Sequence, residues 1–233
     1  MISAHEAEVT FRFDALHWRF KSTVEPEDYR LQGVLDAIGP VKGLRVLDLG
    51  CGKGRFARAL QARGAEVAGI DVSTAMLAEA DGIERVRGSV RSLPFRSASF
   101  DAVVAVEVFE HLEPSTWEAT IAEARRVLAP GGTLAVVDKS LASFNAQRPW
   151  MPSAVVKMID ERRGRWMYPC DGPARERWFW PSRLRKELLK AFDDVRVVHL
   201  LSPAEGRRML FRRVPAARLM ALWVARAEGG SDV

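Results

Sequence analysis

Residues 46–54 read Val-Leu-Asp-Leu-Gly-Cys-Gly-Lys-Gly, and no other stretch of the chain restricts the fold as strongly. The apolar run of Leu44, Val46, Leu47 and Leu49 has the character of a buried strand. It breaks directly into three glycines, at 50, 52 and 54, and a helical pattern follows from Arg55 to about Arg63. A strand, a glycine turn and a helix in succession is how an α/β sheet brings its backbone close to a ligand. A side chain at Gly50 or Gly52 is expected to fill the space a ligand needs, and glycine also accepts a positive φ. Asp48 stands just before the turn, and no Lys-Ser/Thr pair closes it, which narrows the choice of ligand.

The surrounding sequence repeats this alternation. Spacing at Leu31, Val34, Leu35 and Ile38 predicts a helix after Pro26, ended by Gly39-Pro40. Strands are expected at Leu44–Leu49, Glu66–Ile70, Ile83–Gly88, Phe100–Val106 and Thr133–Val137. Ser73-Thr74 opens a short helix through Met76, Leu77 and Ala80. Ser115-Thr-Trp-Glu118 has the form of a capping box before a helix carrying Trp117, Ile121, Ala124 and Leu128. The unbroken apolar run 100–106 suits a strand covered on both faces. An α/β fold follows, with a parallel sheet, right-handed crossovers and helices on both sides.

After Lys139 the pattern changes. Residues 141–181 hold four of the seven tryptophans, Trp150, Trp166, Trp178 and Trp180, and show little periodicity, as expected of a cap. A basic helix is expected over Ser182–Ala191, then strands at Val195–Leu201 and Leu219–Ala227 joined by an arginine-rich segment. Residues from Gly229 onward are expected to be disordered. The organisation expected is one domain over 1–233: an N-terminal helical lid at 1–40, a ligand-binding core at 41–140, the cap insertion at 141–181, and a C-terminal helix and strands at 182–233.

Charge is divided unevenly. Residues 1–140 carry 17 Lys/Arg against 20 Asp/Glu, and residues 141–233 carry 18 against 10. A basic half attracts anionic substrates, membrane surfaces or nucleic acid. A solvated arginine-rich surface is favoured over a nucleic-acid patch, and also for the pairs Arg207-Arg208 and Arg212-Arg213, whose alternative is phosphate or lipid headgroups. No apolar run reaches eighteen residues, so no membrane span is expected. The N-terminus lacks a secretory pattern, and the two cysteines, Cys51 and Cys170, lie far apart. A reducing, cytoplasmic setting is expected. No Cys/His cluster has metal-ligand spacing, and Asp138 stands without an acidic cluster around it in sequence.

Five segments in order resemble the class I S-adenosylmethionine-dependent methyltransferases that act on small molecules: Val46–Gly54, Gly-Ile-Asp-Val-Ser at 69–73, Leu-Pro-Phe at 93–95 with Ser-Phe-Asp at 99–101, Glu-His-Leu at 110–112, and Leu-Ala-Pro-Gly-Gly at 128–132. The resemblance covers residues 44–138. It implies a three-layer, doubly wound, Rossmann-like fold with a mostly parallel seven-stranded sheet, an antiparallel last strand and a helical or irregular cap. It also implies S-adenosyl-L-methionine as cofactor and a small-molecule methyl acceptor.

On that resemblance, backbone at Gly50, Cys51 and Gly52 approaches the amino-acid and ribose portions of the cofactor. Asp48 meets the α-amino group, and Asp71 accepts the ribose hydroxyls in a charge-assisted pair. Val72 and Met76 wall the adenine, and Glu107 faces the methionyl end. Ser89 stands where the family usually has an acid that receives the adenine amino group, a loss worth about 1 kcal/mol; Ser89 and the Val90 backbone are the expected adenine contacts. His111 is the candidate general base, with a loop histidine as the plainer reading. For Asp71 the competing role is a helix N-cap, for Asp48 a structural hydrogen bond, and for the tryptophans packing of the cap. Alternative activities are a nicotinamide-dependent oxidoreductase, a nucleic-acid methyltransferase and an inactive cofactor-binding partner subunit. A repulsion between Asp48 and a pyrophosphate disfavours the first. The absence of an Asn/Asp-Pro-Pro-aromatic segment after residue 106 disfavours the second.

Overall fold

The structure is a computed structural model of the chain, and residues 4–166 and 176–227 are described. Cys170, the middle of the cap segment and the tail from Gly229 lie outside the described residues. Within 141–181 the described residues include a ten-residue helix, Ser153–Arg162, so the cap is helical in part.

The chain opens with α1 (Ala4–Leu16) and a 3-10 turn at His17–Arg19, followed by α2 (Tyr29–Ile38). Sequence periodicity does not announce α1, because Val9, Phe11 and Phe13 alternate as in a strand. Packing decides its state: Val9 turns inward, whereas Phe11 is 75% exposed. Asp28 caps α2 by accepting from the Arg30 amide at 2.9 Å. The alternating core then runs β1 (Arg45–Leu49), α3 (Arg55–Gln61), β2 (Glu66–Asp71), α4 (Thr74–Ala78), β3 (Glu84–Arg87), β4 (Phe100–Val106), α5 (Trp117–Val127) and β5 (Leu128–Lys139). It ends with α6 (Ser153–Arg162), α7 (Pro181–Leu188), β6 (Asp194–His199), α8 (Pro203–Gly206), α9 (Met209–Arg213) and β7 (Met220–Arg226).

Seven strands form one sheet in the order β3-β2-β1-β4-β5-β7-β6. Strand β1 pairs in parallel with both β2 and β4, and only β7 runs antiparallel to its neighbours, as the resemblance implied. The order reverses at β1, where chain connections leave toward opposite edges, and a crevice opens at the carboxyl ends of β1 and β4. Two apolar cores cover the sheet. One, with Leu47, Leu49, Val103 and Trp223, lies beneath α5 and α7; the other, with Val46, Val104 and Val137, lies beneath α2 and α3. Strand β4 alternates between them, so every residue but Asp101 is buried, which accounts for its unbroken apolar run.

The capping box expected at Ser115 is not formed. Residues Pro114–Thr116 make a 3-10 turn, and Thr116 continues into α5 with helical dihedrals and no side-chain cap. Its hydroxyl instead donates back to the Glu113 carbonyl at 2.7 Å. A capping box does form at Ser202 and Glu205, at the head of α8.

Candidate functional site

A cavity of about 400 Å³ lies over the carboxyl rim of β1, β2, β4 and β5, roofed by α1 and the turn that follows it. That size suits a cofactor-scale ligand. The glycine turn forms its floor. Gly50, Gly52 and Gly54 have φ of +64°, +53° and +72°, so each occupies a backbone region that other residues enter at a cost. Their surroundings differ. A Cβ on Gly52 would meet nothing within 4 Å, so that position faces the cavity. A Cβ on Gly50 would lie 2.7 Å from Val108 Cγ2. The expectation that Gly50 spares room for a ligand is corrected on this point: Gly50 makes room for Val108. Cys51 lies buried in the turn with its sulfur against Gly69, and burial pushes its thiol up, so it is a packing residue as well as a wall.

Asp71 reaches from the end of β2 to staple the turn. Its Oδ2 accepts from the Gly52 amide and its Oδ1 from the Ser73 amide, both at 2.8 Å. The N-cap of α4 is Ser73, not Asp71. Burial raises the Asp71 carboxyl and the backbone amides oppose that rise. Asp48 is only 2% exposed and its Oδ2 has no hydrogen-bond partner. Burial pushes its carboxyl up to about 7, against a bond from the Ala57 backbone. Asp48 lines the cavity, and a buried carboxylate oxygen without a partner is costly unless something cationic or hydrogen-bonding meets it.

Val72, Met76 and Val90 form an apolar stretch of wall near Asp71. Ser89 does not line the cavity: its hydroxyl accepts from the Arg91 amide at 3.2 Å, closing a local turn. The expectation of a Ser89 hydroxyl on an adenine is corrected accordingly. Arg91 lines the cavity instead and pairs with Glu6 of α1 at 2.6 Å, one of several ties that hold the roof down. Asp14 makes another, accepting from the Ser73 hydroxyl at 2.5 Å and the Ala75 amide at 3.0 Å.

The opposite end of the cavity is highly charged. Glu107 follows β4 with φ of +60°, a strained conformation for a residue with a side chain. Its carboxylate meets Arg30 at 2.7 Å, Arg55 at 2.8 Å and Lys139 at 3.1 Å. Those cations hold it well below the usual carboxylate range despite burial. Lys139 also meets Glu110 at 2.6 Å and Glu176 at 2.9 Å. Burial alone would lower the lysine, but the three carboxylates outweigh it and hold the ammonium charged. Glu110 is 1% exposed, its Oε2 lacks a hydrogen-bond partner, and burial drives its carboxyl up against the pull of Lys139. Asp138 is not isolated in space, contrary to its isolation in sequence. It accepts from the Phe109 amide at 2.9 Å and lies near this charge group, and burial lifts it to about 7.

His111 lines the cavity, with its Nε2 3.5 Å from Glu110 Oε1 and its ring edge-on to Phe13 at 5.0 Å. Burial lowers it to about 4, so the ring is neutral near neutral pH, a weaker base than its unperturbed value suggests. Val9, Phe13 and Phe20 complete the roof. Among the described residues, no tryptophan lines this cavity. Trp166 and Trp178 donate to Glu176, and Trp150 and Trp180 are exposed. The cap segment therefore reaches the site through Glu176, and the N-terminal segment supplies the roof.

Sequence reasoning missed Arg30, Arg55, Lys139 and Glu176. A lysine at the carboxyl end of the apolar run 133–138 is a faint signal for Lys139. Glu176 has none, since it comes from a segment without periodicity.

A mostly parallel sheet with β7 reversed, a glycine turn after β1 and an acid closing β2 is the architecture of the class I S-adenosylmethionine-dependent methyltransferases. Residues 47–136 match the family model for a methyltransferase domain. The chain is 35% identical over 137 residues to a ubiquinone biosynthesis O-methyltransferase of Paracidovorax citrulli, covering 54% of this chain and 56% of that one. It is 36% identical over 125 residues to a demethylmenaquinone methyltransferase of Beutenbergia cavernae, covering 52% and 49%. The matched region thus spans about half the length of these relatives. Among solved structures, an S-adenosylmethionine-dependent methyltransferase of Thermotoga maritima, described as a possible histamine N-methyltransferase, superposes with a TM-score of 0.64. It is 20% identical and the match covers 95% of this chain and 96% of that one, a likeness of fold. No described helix is long and apolar enough to cross a membrane.

Proposed function

We propose that the chain transfers a methyl group from S-adenosylmethionine to an oxygen or nitrogen of a small-molecule acceptor, leaving S-adenosylhomocysteine. The observation that carries this reading is the unpartnered Oδ2 of buried, cavity-lining Asp48 beside the cavity-facing Gly52. A ligand with a cationic amine and a nucleoside satisfies both. When bound, the cofactor supplies an electrophilic methyl on a sulfonium.

The residues divide the work by position. Asp48 receives the α-amino group. Asp71, each oxygen already holding one amide, keeps a second acceptor direction on each for the ribose hydroxyls. The Gly50–Gly52 backbone lies alongside, and Val72, Met76 and Val90 cover the adenine. Glu107, neutralised by three cations, orients Arg30 and Arg55 toward the cofactor carboxylate. The acceptor lies beneath Val9, Phe13 and Phe20, where His111 in its neutral form takes the proton released. Much of the rate then comes from aligning acceptor and sulfonium, not from a strong base.

The same reading treats residues 1–233 as one domain with the lid, core, cap and C-terminal parts set out above. The free thiol of Cys51 within the turn supports a reducing, cytoplasmic setting. Calorimetric titration with S-adenosylmethionine tests the proposal. Binding by the wild type, lost or strongly weakened in Asp71→Ala, is expected. Absence of wild-type binding, or binding of NADH in its place, overturns it. Cofactor binding without turnover on a broad acceptor panel turns the assignment to a partner subunit.

A further inference from the structure

From Val195 to Ala227 the chain carries seven arginines and one acid, Glu205. Glu205 is buried and fully engaged: it accepts from the Ser202 amide and hydroxyl and from the Leu219 amide. Arg218 is engaged too, donating to the carbonyls of Phe211 and His199. Phe211 is sealed inside. These anchors hold α8 and α9 as a fixed platform. On its outer surface stand Arg207, Arg208, Arg212 and Arg213, all exposed, and none of the four has a carboxylate within ion-pair distance among the described residues. Between them lie Met209, 59% exposed, and Val214, 46% exposed. On α9 the spacing of Met209, Arg212 and Arg213 puts an apolar side chain and two guanidinium groups on one face.

We propose that this platform docks on an anionic lipid bilayer, the arginines on headgroup phosphates and Met209 and Val214 in the interface. A surface kept only for solubility interleaves both signs of charge, whereas this one is cationic throughout. Paired basic residues flanking exposed apolar ones are what a headgroup layer receives, since lipid offers both anionic oxygens and an apolar boundary. Nucleic acid fits less well. The exposed positions from 207 to 216 hold no aromatic ring to stack on a base and no amide to read one. The placement is consistent with use: β7 begins at Met220, paired with Lys139, which lines the cavity. The platform and the cavity therefore share one rim of the sheet, and a lipid-dissolved acceptor leaves the bilayer beside the site.

Flotation of the full chain tests this, without cofactor so that it stands apart from the methyl-transfer reading. The probes are vesicles of phosphatidylcholine alone and of equal parts phosphatidylcholine and phosphatidylglycerol. Binding to the second only, weakened by added salt, is expected. Each arginine near an anionic surface contributes roughly fivefold, so the Arg212→Ser/Arg213→Ser double variant should partition roughly 25-fold less. Met209→Ser should weaken binding with the salt dependence unchanged. Unchanged circular dichroism and cofactor titration in both variants show that the fold is intact. Failure to float with anionic vesicles overturns the proposal, as does equal partition to both vesicles or full binding by the double variant. Displacement of vesicles by an RNA homopolymer at the same salt assigns the surface to nucleic acid instead.

Discussion

Replacing Lys139 by methionine would remove the cation at the centre of the buried charge group while keeping most of its volume. The ammonium lies 3.1 Å from Glu107, 2.6 Å from Glu110 and 2.9 Å from Glu176. Glu107 would keep Arg30 and Arg55, and Glu176 would keep two indole donors. Among the described residues, Glu110 would lose the one ammonium or guanidinium that pairs with it, while remaining buried. Breaking a buried pair on one side costs about 3–5 kcal/mol. For a chain of this size that corresponds to a Tm lower by about 6–20 °C. The cost depends on pH with a definite sign. Burial already raises Glu110, and loss of Lys139 would raise it further. A carboxyl with a raised folded-state value stabilises the fold below its unfolded value and loses that contribution as pH rises. Across about pH 5–9 the deficit of Lys139→Met should therefore hold level while Glu110 is protonated in both proteins, and grow once pH rises past its wild-type folded-state value. Urea unfolding of both proteins across that range measures it. A deficit under about 1 kcal/mol at neutral pH, or one that grows on acidification, would refute the reasoning.

Asp48→Asn should weaken cofactor binding roughly tenfold or more, the worth of a charge-assisted hydrogen bond. In the wild type, affinity should fall as pH drops below about 7 and Asp48 becomes neutral, and calorimetry on the asparagine variant should show that dependence flattened. The same raised value means Asp48 stabilises the ligand-free fold below about pH 4 and loses that contribution through about 7, so Asp48→Asn should be no less stable at neutral pH. Gly50→Ala and Gly52→Ala should separate. Both incur about 1–2 kcal/mol of backbone strain, but only the first adds a clash with Val108, so it should melt lower while the second loses mainly cofactor affinity. His111→Ala should cut turnover roughly a hundredfold with cofactor affinity kept, and the wild-type rate should show no inflection from His111 between about pH 6 and 8. A wild-type inflection near pH 6.5 lost in the variant would show that burial had been overrated.

The strand-turn-helix at 45–61 was legible because each part is a local event. Apolar runs bury, three glycines permit positive φ, and helical spacing follows within a few residues. Asp71 was legible because parallel connectivity brings the end of one strand beside the turn after its neighbour. The apolar run 100–106 announced a strand buried on both faces, and β4 has those bounds. Periodicity fixes neither the place nor the bounds of α1 within the helical lid expected over 1–40, because its alternating Val9, Phe11 and Phe13 suit a strand equally. Only contact with the cavity below and with α4 selects the helix. Nor could sequence tell that Gly50 yields to Val108 and Gly52 to the cavity, since that depends on side chains 58 positions onward.

What the sequence by itself determined is the alternating α/β scaffold and the glycine bend with Asp48 and Asp71, all set by short-range spacing and by the burial of contiguous apolar runs. What only the tertiary structure decided is the roof, the grouping of Arg30, Glu107, Glu110, Lys139 and Glu176, and the protonation of Asp48 and His111. Those depend on which distant groups share one water-poor space, and electrostatics there follows distance through space, not separation along the chain.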